Sequence, residues 1–162
     1  MSDLQITYRP ANETSAREFL QWQYEPPYDI YNCQPANMEE AIQYNLDPAN
    51  NIYAMFAQDE VVIGYCSYGE DARVPGGDYS EAAVDIGLMI KPEWTGQGLG
   101  ADFARDVIHN GSRLFGPGKR RVTIAAFNRR AVRVWEKNGF HQTQTFKRER
   151  DGMDFVIMVK NV

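Results

Sequence analysis

Three alternating glycines, Gly96, Gly98 and Gly100, stand between an apolar β-rich run, Ala83–Ile90, and an amphipathic stretch that starts at Leu99. Glycine takes positive φ without penalty and lets a backbone approach a ligand closely. The first turn of a helix leaves its N–H groups without intrahelical acceptors, and the helix dipole adds partial positive charge there. A strand, a glycine turn and a helix in that order suit a phosphate or pyrophosphate held by main-chain donors alone. The same turn could also serve tight packing only. A P-loop requires Lys-Ser/Thr after its last glycine, and Gly100-Ala101-Asp102 excludes that chemistry. Gly96-x-Gly98-x-x-Ala101 satisfies the dinucleotide fingerprint, but the acidic residue that should hold a ribose about 20 positions on is missing from Gly116–Arg121. A small NAD(P)-binding oxidoreductase is therefore an alternative reading, not the first.

Other residues offer chemistry of their own. Asp85 lies in the apolar run Ala82–Ile90, a costly place for a charge without a partner. It reads either as a general base or ammonium anchor, or as an edge-strand or turn-facing carboxylate. Trp22, Tyr24, Glu25, Tyr28, Asp29 and Tyr31 surround the Pro26-Pro27 pair. Such an aromatic and acidic lining suits a cationic amine through ion pairing and cation–π contact, unless the rings merely pack the loop on a sheet. Asp71, Asp78 and Glu81 could add to the same mouth. Lys119-Arg120-Arg121 reads as a solvated strand entrance or as an anion contact, and His109 and His141 as surface or capping residues. No His/Cys/Asp cluster has metal-ligand spacing, so no metal is expected. No G-x-S-x-G or Cys–His signature marks covalent catalysis.

Two motifs in order resemble the GNAT superfamily of acyl-CoA-dependent N-acyltransferases. One is Ile90-Lys91-Pro92 followed by Thr95-Gly96-Gln97-Gly98-Leu99-Gly100, similar to the superfamily's pyrophosphate loop Q/R-x-x-G-x-G/A. The other is Asn128-x-x-Ala131-x-x-Val134-Trp135-x-x-x-Gly139-Phe140, downstream with a strand between. The resemblance implies acetyl-CoA as cosubstrate, without a metal, bound by Leu88, Met89, Ile90, Thr95, Gly96, Gln97, Gly98, Leu99, Gly100, Ala101, Asn128, Val134 and Trp135. It implies direct attack of a primary amine on the thioester in a ternary complex, with Met89 supplying the oxyanion N–H and Asp85 the base. It places the acceptor, a small amine or a peptide N-terminus, against Trp22, Tyr24, Glu25, Tyr28 and Tyr31. Two positions depart from the pattern. Thr95 replaces the usual Gln/Arg, and Trp135 replaces a tyrosine often proposed as general acid, although an indole N–H only donates. A catalytically impaired acyl-CoA-binding module is thus a second alternative. Dimers are common among relatives.

Elements must hold these residues. Leu4, Ile6 and Tyr8 alternate as a strand, and Ser15-x-x-Glu18 reads as a capping box opening a helix through Phe19, Leu20 and Trp22. Pro35–Leu46 suits a second helix with proline in its first turn. Ile52–Gln58 and Val61–Tyr68 form a hairpin about Asp59-Glu60, and Ala83–Ile90 extends an antiparallel meander after the loop Gly69–Ser80. A helix from Leu99 is expected to end at Asn110-Gly111. The strand Val122–Phe127 and a helix carrying Ala131, Val134 and Trp135 come next. Strands Phe140–Arg148 and Asp154–Lys160 close the chain about Asp151-Gly152. The order β α α β β β α β α β β predicts a mixed α/β (α+β) fold. Its twisted, mostly antiparallel sheet of about seven strands is flanked by about four helices, not doubly wound. The resemblance implies the GNAT-like version of that fold, in one domain over residues 1–162.

The 162 residues match one domain at about 150 per domain. With 43% apolar and 12% aromatic residues, they can bury a core. Lys and Arg number 17 against 22 Asp and Glu, a net charge of −5, which argues against nucleic-acid binding. The longest apolar runs, Ile52–Ala57 and Val61–Cys66, are far short of the ~20 residues of a membrane span. The start, Met1-Ser2-Asp3-Leu4, lacks the apolar stretch of a signal peptide. Cys33 and Cys66 form no CxxC pair, which suits reduced thiols in a cytoplasmic protein.

Overall fold

The computed structural model describes residues 4–162. Its element order is the one expected: β1 (Thr7–Pro10), α1 (Glu13–Phe19), α2 (Met38–Leu46), β2 (Ile52–Phe56), β3 (Val62–Tyr68), β4 (Val84–Ile90), α3 (Gly100–Phe115), β5 (Lys119–Ala125), α4 (Arg129–Lys137), β6 (His141–Lys147) and β7 (Asp154–Asn161). The hydrogen-bonded strand order is β1-β2-β3-β4-β5-β7-β6. Pairs β1–β2, β2–β3, β5–β7 and β6–β7 are antiparallel, while β4–β5 is parallel. The sheet is mixed and mostly antiparallel, unlike the doubly wound parallel sheet of a dinucleotide-binding fold.

The chain packs as two compact units. The first comprises the residues up to Ser67 together with Leu88–Gln97, and the second Tyr68–Gly87 with Gly98–Val162. In the first, Phe19, Leu20, Trp22, Ile42, Ile52, Ala54 and Val62 are buried together, with Tyr65 stacked on Phe19 at 4.0 Å. The β2–β3 turn holds Asp59 and Glu60 at positive φ, as a tight hairpin requires. In the second, β7 lies between β5 and β6, and Phe155–Val159 are all buried. That explains an apolar run without alternation, whereas the edge strand β6 is polar and largely exposed.

Several boundaries differ from expectation, each for a local reason. β1 starts at Thr7, so Leu4 and Ile6 precede it. The capping box is Asn12 with Ser15: Ser15 N–H donates to Asn12 Oδ1 (2.9 Å) and Asn12 N–H to Ser15 Oγ (3.0 Å). Ser15 is thus the inner member of the box, and α1 ends at Phe19, before Trp22. Asn37 caps α2, leaving Pro35 outside that helix. α3 runs through Asn110-Gly111 to Phe115. Gly111 is there for packing: a Cβ would lie 2.9 Å from the Tyr68 ring. Asn110 is buried and donates to the Tyr68 hydroxyl (3.1 Å), which donates to the Val107 carbonyl (2.7 Å).

The basic cluster is neither a solvated entrance nor a contact for an external anion. It lies within β5, with Arg120 and Arg121 1% and 3% exposed. Arg120 donates to the Gly116 carbonyl, and burial pulls its guanidinium down from its ordinary range. Lys119 pairs with Glu81. Among the described residues, no helix is long and apolar enough to cross a membrane.

Candidate active site

The glycine turn begins in a short 3-10 segment, Pro92–Trp94. Thr95 Oγ1 donates to the Pro92 carbonyl (2.7 Å), and Gln97 Nε2 to the Glu93 carbonyl (2.6 Å), so both side chains are spent on shaping the turn. Gly96 and Gly98 have φ of +72° and +76°, and a Cβ at either would meet nothing within 4 Å. Left-handed backbone with open space above it is a conformational demand for glycine, not a packing demand. Leu99 caps α3 without a side-chain hydrogen bond. Among the described residues, none accepts from the backbone N–H groups of Gly96 through Asp102. Those donors, at the positive end of a 16-residue helix, form an anion cradle.

The second motif positions that helix. The Asn128 side chain accepts from Ala131 N–H (3.1 Å) and caps α4. α4 then crosses close to the start of α3, where a Cβ on Gly100 would stand 2.8 Å from Val134 Cγ2. Asn138 Nδ2 donates to the Ala101 carbonyl (3.1 Å) and to the Val134 carbonyl (2.9 Å), tying the end of α4 to the first turn of α3. Gly100 is therefore set by packing, in contrast to Gly96 and Gly98. Trp135 is 5% exposed and packs edge-on against Phe140 (5.0 Å between rings). The apolar face of α4 turns Trp135, expected at the cofactor, into the core.

β4 alternates the direction of its main-chain groups. The Asp85 carbonyl accepts from Gly69 N–H (2.8 Å), and Lys91 N–H donates to the Ile63 carbonyl (2.9 Å), so odd-numbered residues face β3. Met89 belongs to that set, since a Cβ on Gly64 of β3 would lie 2.8 Å from its carbonyl oxygen. Leu88 and Ile90 turn their main-chain groups the other way. On that side the register with β5 covers Val84 and Asp85. The expectation that Met89 supplies the oxyanion donor is corrected accordingly, because its N–H shares the β3-facing direction.

Asp85 is also corrected. It is 1% exposed, and both carboxylate oxygens are occupied. Arg121 Nε and Nη2 donate to Oδ1 (2.6 Å) and Oδ2 (2.8 Å), and Arg73 Nε donates to Oδ2 (3.0 Å). Hydrogen bonding to Asp85 raises the Arg121 guanidinium above its ordinary range. Tyr79 stacks beneath Arg121 (4.9 Å) and shares a hydrogen bond with Thr123 (2.9 Å). The partner of the carboxylate is the basic cluster, a pairing that no spacing in the sequence reveals.

The expected acceptor residues divide. Trp22 is 8% exposed and packs against Phe19 and Tyr65, so it belongs to the core. Glu25 is exposed, and Tyr28 and Tyr31 lie half-buried in a 3-10 turn, Tyr28–Tyr31. Tyr24 is half-buried, and its hydroxyl donates to the Ile90 carbonyl (2.7 Å). Its N–H donates to Asn32 Oδ1 (2.6 Å). Burial, with Cys33 and Glu93 nearby, raises the hydroxyl above its ordinary range, so it stays protonated and donates. Asp78 is taken up by Ser80, with its Oδ1 accepting from that residue's N–H (3.0 Å) and hydroxyl (2.6 Å). His109 and His141 are exposed, and Cys33 and Cys66 are not joined in a disulfide. Among the described residues, no group of three or more His, Cys, Asp or Glu could hold a metal ion.

A family model of the acetyltransferase (GNAT) domain matches residues 5–141. The chain belongs to the GNAT acetyltransferase family. Solved structures share the fold over nearly the full length. A spermidine N-acetyltransferase chimera from Vibrio cholerae and hSSAT superposes with a TM-score of 0.75 at 19% identity, covering 97% of this chain and 95% of the other. The aminoglycoside acetyltransferase AAC(6')-Ib in complex with coenzyme A gives 0.73 at 21%, with 97% and 95% covered. A putative acetyltransferase from Acinetobacter baylyi gives 0.69 at 15%, with 99% and 95% covered. Comparison with curated proteins finds no match.

Proposed function

We propose that this protein transfers the acetyl group of acetyl-CoA to a primary amine of a small cationic molecule. The observation that carries the reading is the run of backbone N–H groups from Gly96 to Asp102, without acceptors among the described residues and opened by two left-handed glycines. This cradle suits the pyrophosphate of coenzyme A. A solved neighbour with the same fold is in complex with coenzyme A. Leu88 and Ile90, whose main-chain groups turn away from β3, would pair with the pantetheine arm, and the Ile90 N–H would meet the developing oxyanion in place of Met89. Bound acetyl-CoA supplies an activated thioester. The amine lone pair attacks its carbonyl carbon, a C–N bond forms, the C–S bond breaks, and the ammonium proton goes to solvent. The thiolate leaves readily at a reference pKa of about 8.5, so the absence of an ionisable group at Trp135 is tolerable. The acceptor class follows from the exposed Glu25 and Asp29 beside Tyr28 and Tyr31. Solved neighbours include spermidine and aminoglycoside acetyltransferases.

Thermal unfolding with acetyl-CoA, CoA or NADPH at ~1 mM tests the cosubstrate. Binding at a hundred times Kd adds about 2.7 kcal/mol, a visible shift. Stabilisation by the CoA compounds alone is expected, and it should vanish in Gly98→Glu, which sets a carboxylate in the cradle. Thiol release with a panel of polyamines, aminoglycosides, amino acids and peptides then tests the acceptor. A second reading, acyl-CoA binding without turnover, is favoured by the burial of Trp135. Binding with no thiol release across the panel would establish it.

A further inference from the structure

The most informative contact that acetyl transfer as described leaves unused is the hydroxyl of Tyr24 on the carbonyl of Ile90 (2.7 Å). We infer that Tyr24 is a positioning residue that caps this carbonyl, so that the end of β4 turns one lone pair fewer toward a reacting thioester. The inference rests on the acyl-transfer reading above. A strand edge presents N–H and C=O groups by turns, and those of Ile90 lie on the same side of the strand. A thioester oxygen that gains negative charge beside Ile90 N–H would also feel the lone pairs of Ile90 C=O. An O–H donated to that carbonyl occupies a lone pair and fixes the Ile90–Lys91 peptide unit, which adjoins the one carrying the Ile90 N–H, and such preorganisation is what oxyanion stabilisation needs.

Three observations set the hydroxyl to this task rather than to acid catalysis or acceptor contact. Its proton already points at a main-chain acceptor. Burial holds the group protonated. The backbone on which it is carried is pinned, since Asn32 Oδ1 accepts Tyr24 N–H (2.6 Å) and Asn32 Nδ2 donates to Gln23 Oε1 (3.1 Å). The loop that follows α1 is thereby fastened to the strand expected to hold the acyl group.

Tyr24→Phe removes the oxygen and keeps the ring. Expected are a fall in kcat of about tenfold and an acetyl-CoA Kd within twofold of wild type. Amide exchange at residues 24–32 and 90–91 should be faster, with Tm lowered by only a few degrees. Tyr24→Leu, which also loses the ring, should lower Tm further and reduce kcat no more than Tyr24→Phe does. Unchanged kcat and unchanged exchange in Tyr24→Phe would overturn the inference while leaving acetyl transfer intact. A rise in acceptor KM alone, with kcat unchanged, would overturn it too and return Tyr24 to the acceptor lining. If wild type neither binds acetyl-CoA nor turns over, the acyl-transfer reading fails first, and the inference with it.

Discussion

At the scale of the residue, the decisive reassignment is Asp85. An acidic residue in an apolar run has two ways to exist, as a group tuned for chemistry or as half of an ion pair. The bidentate contact with Arg121 and the third bond from Arg73 place it in the second class. Removing one member of a buried pair leaves the other charge without compensation, at a cost of about 3–5 kcal/mol. Asp85→Asn is therefore expected to lower stability by that amount in denaturant titration. Where the variant remains folded, its kcat/KM should stay within about threefold of wild type. A general base would behave in the opposite way, with a loss of roughly 10²–10⁴-fold in rate and little change in stability. What the sequence could disclose here is instructive. It showed that Asp85 needed a partner and that Lys119-Arg120-Arg121 was a cluster, but not that the parallel β4–β5 register sets Asp85 opposite Arg121. The burial of Trp22 and Trp135 was hidden for a related reason: composition shows an aromatic residue, and only packing shows which way it faces.

At the scale of the element, the glycine turn was legible because its demand is local. Positive φ at Gly96 and Gly98 and an uncapped helix start are properties of a few consecutive residues. Gly100 belongs to the same run of letters and obeys a different cause, the approach of α4. Its requirement is spatial, so the sequence could not separate it from its neighbours. The same holds at Gly111, where the reading of a helix stop failed because Tyr68, 43 positions away in the chain, fills the space a side chain would need. The two causes give different mutational signatures. Gly100→Ala should cost about 1–3 kcal/mol by overpacking against Val134, and Val134→Ala should recover part of that loss. A double-mutant cycle read by urea denaturation measures the coupling. Gly98→Ala should cost about 1–2 kcal/mol through left-handed strain alone, with no coupling to Val134. Equal coupling at both positions would mean that the turn is one packed unit and not a cradle beside a packed helix crossing.

At the scale of the whole molecule, the fold is shared with acetyltransferases at 15–21% identity, so most side chains differ while the fold persists. Such a scaffold fixes where an acyl donor can lie and leaves the acceptor to loops and charge. The net charge of −5 bears on that choice. A negative protein whose loop after α1 exposes Glu25 and Asp29 raises the local concentration of cations, and the effect grows with the charge of the amine. Screening shortens its reach from about 30 Å at 0.01 M salt to about 8 Å at 0.15 M. The kcat/KM for a diamine should therefore fall more steeply than that for a monoamine of similar size as salt rises over this range. The ratio of the two should drop by at least threefold. Taking the ratio at saturating acetyl-CoA cancels any effect of salt on the cosubstrate. A constant ratio would show that the acceptor is selected by short-range contacts alone, and the acidic loop would then have no part in drawing it in.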